Sequence, residues 1–430
     1  MNWIILIIFL IAAYAAIAYY IHSRKLWEDH ITFYGPILAI RTNRVGFFDK
    51  FAACRTFFRI YGTTGVIAVI IVSVFITFML FISVRYTLLV QPEPTGIYKP
   101  QNILLIPGIN EYVPSTLAVW LAFIITIAIH EFGHAILCRV ENIKVKTMGA
   151  LIAVIPIGFF VEPDEEELDK TKGMAKVRMF GAGITNNLVV GFSCFLLLIL
   201  CMGLVTPVSQ PVIHGVYKDY PAASAGIPPG SIVTAVNGVP VNSRADVSTI
   251  LNTTKPGNTL TLTVEKDKIV KDYPLTLTAW PGDIPDRTSG FMGVEYYDGA
   301  AVMSVIQGML SPIGFFQFLI VPFANDSGVQ FLRILAFETP DTIYYQVPFE
   351  SFWGVVHLLF WCAWININVG IFNAIPMIPL DGGYIFKEGV DRLLDRRGLL
   401  KYSSYVTGAV SYLMLVVLVS LIALPYLLHI

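Results

Sequence analysis

Six apolar runs, each about as long as a membrane span, alternate along the chain with segments that carry most of its charge. A hydrocarbon core of ~30 Å requires ~20 mostly apolar residues in a helix. The pattern therefore predicts a polytopic α-helical membrane protein with about six transmembrane helices. The runs cover residues 2–21, 63–84, 115–138, 179–206, 351–375 and 404–428.

The composition supports the same class. Of the 430 residues, 55% are hydrophobic and only 14% are charged, whereas soluble domains carry about 25% charged residues. The 29 basic and 30 acidic residues leave a net charge of −1, so no basic excess indicates binding to nucleic acid. The five cysteines are scattered, mostly within apolar runs, and show no disulfide or zinc-finger spacing.

The basic residues predict the orientation of the helices, because short cytoplasmic loops are enriched in Lys and Arg. The segments after the first, third and fifth runs are all basic. We therefore assign them to the cytoplasm, and both termini, the 90–113 loop and the stretch 207–350 to the other side. The first run has no basic segment before it and no small-residue cleavage site after it, so we expect a retained helix in a cell or organelle membrane.

Three further segments depart from this pattern. Residues 207–283 alternate apolar and polar positions and are rich in Thr, Val, Pro and Gly, which predicts a small β-rich domain. The apolar segment 310–323 is short and contains Pro312 and Pro322, so we expect it at the membrane interface. The segment 148–160 is too short to span and contains Gly and Pro, which favours a re-entrant hairpin beside a cavity.

The third run ends in a His-Glu-x-x-His motif formed by His130, Glu131 and His134. Imidazoles at i and i+4 project from one helical face about 5–6 Å apart, which suits tetrahedral zinc, and the Glu can reach a water at the metal. The motif also occurs by chance, but near a membrane each unpartnered ionisable group would cost ~2.5 kcal/mol or more. We therefore predict one Zn²⁺ per chain at this motif.

A zinc hydrolase normally has a third protein ligand, and Asp381 is the best candidate. It lies at the predicted cytoplasmic end of the fifth helix, at the membrane level of the two histidines. Pro376 and Pro379 interrupt the helix there and two glycines permit tight turns, so the carboxylate can point inward. Two alternatives stay open: Asp381 is an ordinary turn residue, or the ligand comes from the acidic run 162–167, which is more typical of a solvated surface.

The fourth helix begins with small residues, Gly181 to Gly183, followed by Asn186 and Asn187. Small residues allow another helix to approach closely, and a buried Asn can donate a hydrogen bond to a developing oxyanion. For Asn186 alone, a role as interhelical glue is an equally good interpretation.

These motifs resemble those of the site-2 protease family of intramembrane zinc metalloproteases. The chain has H-E-x-x-H late in one span, then a Gly-x-x-x-Asn helix, then N-x-x-P-x-x-x-L-D-G-G, in the family's order and spacing. The resemblance implies that His130, His134 and Asp381 bind Zn²⁺ and that Glu131 is the general base.

The same resemblance assigns four further residues to the positioning of substrate and of the tetrahedral intermediate. Gly183 and Asn187 match the Gly-x-x-x-Asn positions, and Asn373 and Pro376 match the start of the last motif. Many members have Pro after that Gly where this chain has Ile184, which affects the subgroup more than the expected activity.

The β-rich region resembles a PDZ domain of the protease-associated kind. Ala225-Gly226, Gly230 and the Val-Asn-Gly that ends at Gly238 form the recurrent core, and a helix near Ser243 follows in the expected place. The resemblance implies that an extended peptide binds as an added strand. It also implies that 148–160 is the family's re-entrant hairpin, whose edge receives an unwound substrate.

Together the motifs predict an intramembrane protease that cleaves transmembrane protein substrates within the lipid bilayer, with its active site towards the cytoplasm and an extracytoplasmic PDZ-like filter. Three alternatives remain: an inactive peptide-binding scaffold, a zinc transporter, and a membrane metallopeptidase with a Glu ligand. The predicted regions are 1–114 (two-helix membrane region), 115–206 (first half of the protease core), 207–283 (PDZ-like domain), 284–350 (extracytoplasmic or interfacial segment) and 351–430 (second half of the core).

Overall fold

The computed structural model of the protein describes residues 3–282, 287–323 and 329–429. The chain divides into two compact units, one formed by Met1–Leu196 with His357–Ile430 and the other by Leu197–Val356. The first unit is mainly helical and carries one small sheet, and the second is rich in β-structure. The helices are α1 (Trp3–Arg24), α2 (Arg55–Val90), α3 (Leu117–Val140), α4 (Glu165–Lys170), α5 (Met174–Met202), α6 (Pro221–Ser224), α7 (Arg244–Asn252), α8 (Gly299–Gln307), α9 (Pro312–Ile320), α10 (Phe352–Asn373), α11 (Asp381–Asp395) and α12 (Ser403–Leu427).

Five helical segments among the described residues are long and apolar enough to cross a membrane, and they coincide with the second to sixth apolar runs. The described apolar part of α1, Ile8–Arg24, is shorter. The prediction of a polytopic membrane protein is therefore confirmed. The five spans are Arg55–Val90, Leu117–Val140, Met174–Met202, Phe352–Asn373 and Leu400–Leu427.

One buried carboxylate joins the ends of three spans. Glu141 follows α3 directly, and its side chain is only 1% exposed. It accepts hydrogen bonds from Arg59 of α2 at 2.9 Å and from Arg178 of α5 at 2.8 Å. A carboxylate at the C-terminus of a helix is destabilised by the negative end of the helix dipole. The two guanidinium groups therefore compensate both this repulsion and the cost of burying the charge.

Glycines bring the spans close enough for main-chain contact. A Cβ at Gly133 of α3 would lie 2.7 Å from the carbonyl oxygen of Ala182 in α5, and a Cβ at Gly181 would lie 3.1 Å from Val66 of α2. Small residues at such crossings let helix backbones approach in a bilayer. The prediction that the small residues at 181–183 permit close helix approach is confirmed.

A four-stranded antiparallel sheet lies beside α3. Its order is β1-β2-β3-β4, so β4 is an edge strand. The last two strands form the predicted hairpin, with Gly149 opposite Phe160. The first hairpin was missed because residues 31–42 were assigned to a basic loop, although the Gly35-Pro36 pair between apolar residues is a turn signal. The strands are β1 (Ile31–Tyr34), β2 (Ile37–Thr42), β3 (Val145–Ala153) and β4 (Ile155–Pro163).

The second unit contains the predicted β-rich domain. Its main sheet has the order β10-β9-β7-β6-β11, with β8 paired to β7. Asn237 and Gly238 both have positive φ values, 49° and 76°, as the tight turn between β7 and β8 requires. Ser243 caps α7 through a reciprocal capping box with Asp246, which confirms the predicted helix start. The strands are β5 (Thr206–Pro207), β6 (Val212–Val216), β7 (Ser231–Val236), β8 (Val239–Pro240), β9 (Thr259–Lys266), β10 (Ile269–Thr276), β11 (Val294–Tyr296) and β12 (Tyr345–Gln346).

The apolar segment of the second unit is bent rather than straight. Gly299–Leu310 and Pro312–Phe323 meet at 112°. Ser311 caps the second helix by accepting a hydrogen bond from Gly314 at 3.1 Å, and Pro312 occupies its first turn, a position where the missing N–H costs nothing. Ile313 and Phe316 remain exposed. This shape is compatible with the predicted interfacial location, which stays a prediction.

Replacement of Glu141 by Ala should lower the free energy of unfolding by about 3–5 kcal/mol, because it leaves the guanidinium groups of Arg59 and Arg178 without their buried partner. Equilibrium unfolding in mixed micelles measures the change. Glu166→Ala is the matched control, since Glu166 is 84% exposed and pairs loosely with Lys170 at 3.7 Å. Equal stability of the two variants would contradict the role assigned to Glu141.

Candidate metal centre

The helix α3 carries the first two residues of the site on one face. It begins after Thr116, whose side chain accepts a hydrogen bond from the Val119 N–H at 3.4 Å. His130 and His134 lie one turn apart, and their Nε2 atoms are 3.2 Å from each other. His130 is buried. The helix thus presents two imidazole nitrogens to a common point.

A turn after α10 brings the third residue to the same point. Asp381 is the first residue of α11, and its Oδ2 lies 3.1 Å from Nε2 of His130 and 3.3 Å from Nε2 of His134. The next two residues, Gly382 and Gly383, have no room for side chains. A Cβ at Gly382, for example, would meet the backbone of Ala374. The turn can therefore fold tightly enough to place the carboxylate against α3.

The hydrogen-bond partners around this group fit a cation. Nδ1 of His134 lies 2.8 Å from the carbonyl oxygen of Met179, and because a carbonyl only accepts, Nδ1 carries the proton and Nε2 is left with a lone pair. Oδ2 of Asp381 is buried and has no hydrogen-bond partner. Lone pairs converging at about 3 Å are unfavourable unless a metal ion lies among them, and two His with one Asp is a ligand set that zinc accepts. Within the described residues, this is the one group of three with such ligand atoms, all within 4.8 Å.

Asn187 of α5 contacts the site through His130. Its side-chain amide is 3.2 Å from Nδ1 of His130, it is fully buried, and its Oδ1 has no partner. The oxygen and nitrogen ends of an amide have nearly the same shape, so their assignment follows from the hydrogen bonds. With Oδ1 turned to the ring, the Nδ1–H of His130 donates to it and Nε2 is again free for a metal. Asn187 is not among the residues that line the cavity.

Glu131 lies beside this group at a cavity of about 310 Å³. Its Oε2 accepts a hydrogen bond from the main-chain N–H of Val161 in β4 at 3.0 Å. The cavity is therefore bounded by the motif helix on one side and by the edge strand of the sheet on another. Its lining includes His130, Glu131, His134, Cys138, Val161, Asn373 and Asp381.

The remaining predicted residues have different surroundings. Gly183 makes room for the imidazoles, because a Cβ there would lie 2.5 Å from Nε2 of His134. Asn373 lines the cavity, and its Nδ2 donates to the carbonyl of Val369 at 3.1 Å. Pro376 is buried in the turn after α10 but does not line the cavity.

The competing carboxylates are engaged elsewhere. Glu162 accepts a hydrogen bond from Thr147 at 2.7 Å and lies 3.5 Å from Arg41. Asp164 caps α4 by accepting a hydrogen bond from the main-chain N–H of Glu167. This hydrogen bond lowers the pKa of the Asp164 carboxyl. The structure does not bring these residues to the histidines.

Several contacts of the site were not predicted. The carbonyl of Met179 and the N–H of Val161 are main-chain groups, so no residue type signals them. Cys138 was detectable, since it lies four residues after His134 and therefore on the same helical face. The Asn186 side chain accepts a hydrogen bond from the Tyr61 hydroxyl at 2.7 Å and donates one to the Ile129 carbonyl at 3.1 Å. These two contacts favour its interpretation as interhelical glue.

Replacement of Gly183 by Ala should reduce the metal content of the purified protein, because the new methyl group would displace His134 from the cluster. Elemental analysis by plasma mass spectrometry measures metal per chain. Gly408→Ala in α12 is the control, since no atom lies within 4 Å of a Cβ at that position. A full metal complement in Gly183→Ala would contradict the packing described here.

Comparison with known proteins gives a family and several distant relatives. The chain is 29% identical over 219 residues to Zinc metalloprotease RasP of Shouchella clausii, covering 49% of this chain and 50% of the relative. It is 27% identical over 230 residues to Probable protease eep of Enterococcus faecalis, covering 52% of each. It thus spans about half the length of these two relatives. It is 23% identical to Uncharacterized protein MJ0971 of Methanocaldococcus jannaschii over 85% of this chain and 80% of that protein.

Among solved structures, the PDZ domain of an SdrC-like protein from Listeria monocytogenes matches 21% of this chain and 90% of that domain, with 21% identity and a TM-score of 0.19. The profile that describes peptidase family M50 matches residues 118–418. That range contains the whole cluster, two of the five spans completely and most of two others. The chain therefore belongs to peptidase family M50.

Proposed function

We propose that this chain is an intramembrane zinc metalloprotease that hydrolyses peptide bonds within or near the transmembrane segments of membrane proteins. The observation that carries the proposal is the convergence of His130, His134 and Asp381 beside Glu131, on helices long enough to cross a bilayer. Membership of a peptidase family supports it, as do the protease names of the relatives RasP and eep.

The chain's residues divide the chemistry between them. His130, His134 and Asp381 would hold the zinc ion. When bound, zinc supplies Lewis-acid chemistry, which activates water at neutral pH and polarises a peptide carbonyl. Glu131 takes a proton from the attacking water and delivers it to the leaving amine. Asn187 and the Met179 carbonyl hold the two imidazoles in the tautomer that leaves Nε2 free, as partners of metal-binding histidines usually do.

The substrate must unwind before attack, because a helix hides its peptide carbonyls in intrahelical hydrogen bonds. The edge strand β4 borders the cavity through Val161 and Pro163 and offers main-chain groups to an extended peptide. We expect substrates whose transmembrane segments contain helix-weakening residues. Asn373, which also lines the cavity, would contact the substrate strand, whereas Gly183 and Pro376 would act through packing.

The orientation of the protein follows from its basic loops. The segments after α1, α3 and α10 are rich in Lys and Arg, which favours a cytoplasmic location and hence an active site open towards the cytoplasm. The PDZ-like domain then lies on the opposite side, where it binds extended peptides and excludes substrates with large folded domains. The bent α8–α9 segment would rest in the outer interface through Leu310, Ile313 and Phe316.

Replacement of Glu131 by Gln should keep zinc bound but reduce kcat roughly 100- to 10,000-fold, the usual range for loss of a general base. The assay is cleavage of a tagged single-pass substrate in liposomes, with the product termini mapped by mass spectrometry and zinc measured in the same samples. Glu166→Gln, on the exposed side of α4, is the control. Full cleavage by Glu131→Gln would reject the proposed role of Glu131 in proteolysis. Metal flux that survives in liposomes with this variant would favour a transporter instead.

The proposed filter predicts different rates for two fusions of one substrate. A folded domain attached on the non-cytoplasmic side should slow cleavage relative to the trimmed substrate, because the PDZ-like domain excludes it. The same domain attached on the cytoplasmic side should leave the rate unchanged. Equal rates for all three substrates would reject the filter, and the reverse order would reject the assigned orientation.

A further inference from the structure

The free edge of β4 is interrupted next to the catalytic cavity. The N–H of Val161 donates to Oε2 of Glu131 at 3.0 Å instead of remaining open. Two residues further on, Pro163 has no N–H to offer. Both residues line the cavity. The part of the edge that can bind a peptide strand therefore ends before the metal group.

The register of the hairpin identifies the last open position. Gly149 pairs with Phe160 and Ala150 with Phe159 without irregularity in this stretch. In an antiparallel pair, successive residues direct their N–H groups to opposite sides. Because the N–H of Val161 points away from β3, the N–H of Phe159 does so too. Phe159 is thus the outward-facing donor of β4 nearest to Glu131 that remains open to a substrate.

The contact with Val161 restricts a side chain that otherwise has several rotatable bonds. Glu131 is only partly buried, and the N–H of Val161 is the hydrogen-bond donor that the structure gives its carboxylate. Val161 is itself held in the sheet by its neighbours Phe160 and Glu162, which pair with Gly149 and Thr147. The sheet therefore fixes the direction in which the carboxylate points.

We infer that the β4 edge has two separate tasks: the main-chain N–H of Val161 positions Glu131, and Phe159 is the last residue that pairs with the substrate strand. The inference rests on the proposed protease activity and deepens it. Val161 acts through Glu131 and is a positioning residue. The scissile bond then lies beyond the substrate residue that pairs with Phe159, next to Val161 and within reach of the base.

A hydrogen-exchange measurement tests the positioning contact without any need for activity. In the full-length protein in micelles, the amide of Val161 should exchange slowly, because it is hydrogen-bonded. Glu131→Ala should speed its exchange at least about tenfold, whereas Glu131→Gln keeps an acceptor oxygen and should preserve much of the protection. The amide of Phe160, bonded within the hairpin, is the internal control. Equal exchange of Val161 in wild type and Glu131→Ala would overturn the inference.

Proline substitutions separate the two tasks kinetically. Pro is tolerated where an edge N–H faces away from the sheet, so Val161→Pro and Phe159→Pro form a matched pair. Val161→Pro should lower kcat roughly 10- to 100-fold, as expected when a base is misplaced, with little change in KM. Phe159→Pro should raise KM about fivefold, since one main-chain hydrogen bond to the substrate is lost, with kcat nearly unchanged.

Each proline variant is compared with the alanine variant at the same position, which keeps the main-chain N–H, so that loss of the N–H is separated from loss of the side chain. The zinc content should be equal in all these proteins. The inference fails if both proline variants change the same parameter, or if Val161→Pro raises kcat, which would make the contact inhibitory. If the wild-type protein cleaves no substrate, the proposed function fails instead. The exchange experiment then still decides whether Glu131 holds the Val161 amide.

Discussion

Three lone pairs that converge on one point are the constraint on which the helical unit depends. The Nε2 atoms of His130 and His134 and Oδ2 of Asp381 lie 3.1–3.3 Å apart. Without a cation these three atoms repel one another, so the neighbouring groups must hold the three side chains in place. The Met179 carbonyl and Asn187 fix the rings, and the chain reverses tightly enough to deliver Asp381. The helices are packed to keep these atoms together.

The bilayer adds a second constraint, because polar groups at its depth need partners within the protein. Asn366 of α10 donates to the hydroxyl of Thr126 at 2.7 Å and to the carbonyl of Cys362 at 2.8 Å. Thr126 lies one turn before His130 on α3. A buried hydrogen bond close to the metal group thus joins α10, which leads to Asp381, to α3, which carries the histidines. This bond fixes how far the two helices are shifted along each other, which apolar packing alone would leave undefined.

The parts of the site that could be predicted from sequence are those encoded by local spacing. His130 and His134 share a face because helices repeat at 3.6 residues, and Gly382 with Pro379 indicates a turn near Asp381. The parts that could not be predicted are main-chain contacts between distant segments. The N–H of Val161 would be the same for any residue except Pro, and only the fold brings it to Glu131. The β1–β2 hairpin was missed because positive charge dominated the interpretation of its loop.

An open sheet edge beside the cavity is energetically unfavourable, and this also explains why a peptide strand would bind there. Unpaired main-chain groups away from bulk water cost about 1–3 kcal/mol each by mutational measures, so an exposed edge is unfavourable until another strand pairs with it. One such group on β4, the N–H of Val161, is already satisfied by Glu131. Under the proposed function, an unwound peptide satisfies the outward groups at Phe159. Under the proposed function, a substrate that gives up its own helical hydrogen bonds recovers part of them on β4, and does so where the base is already oriented.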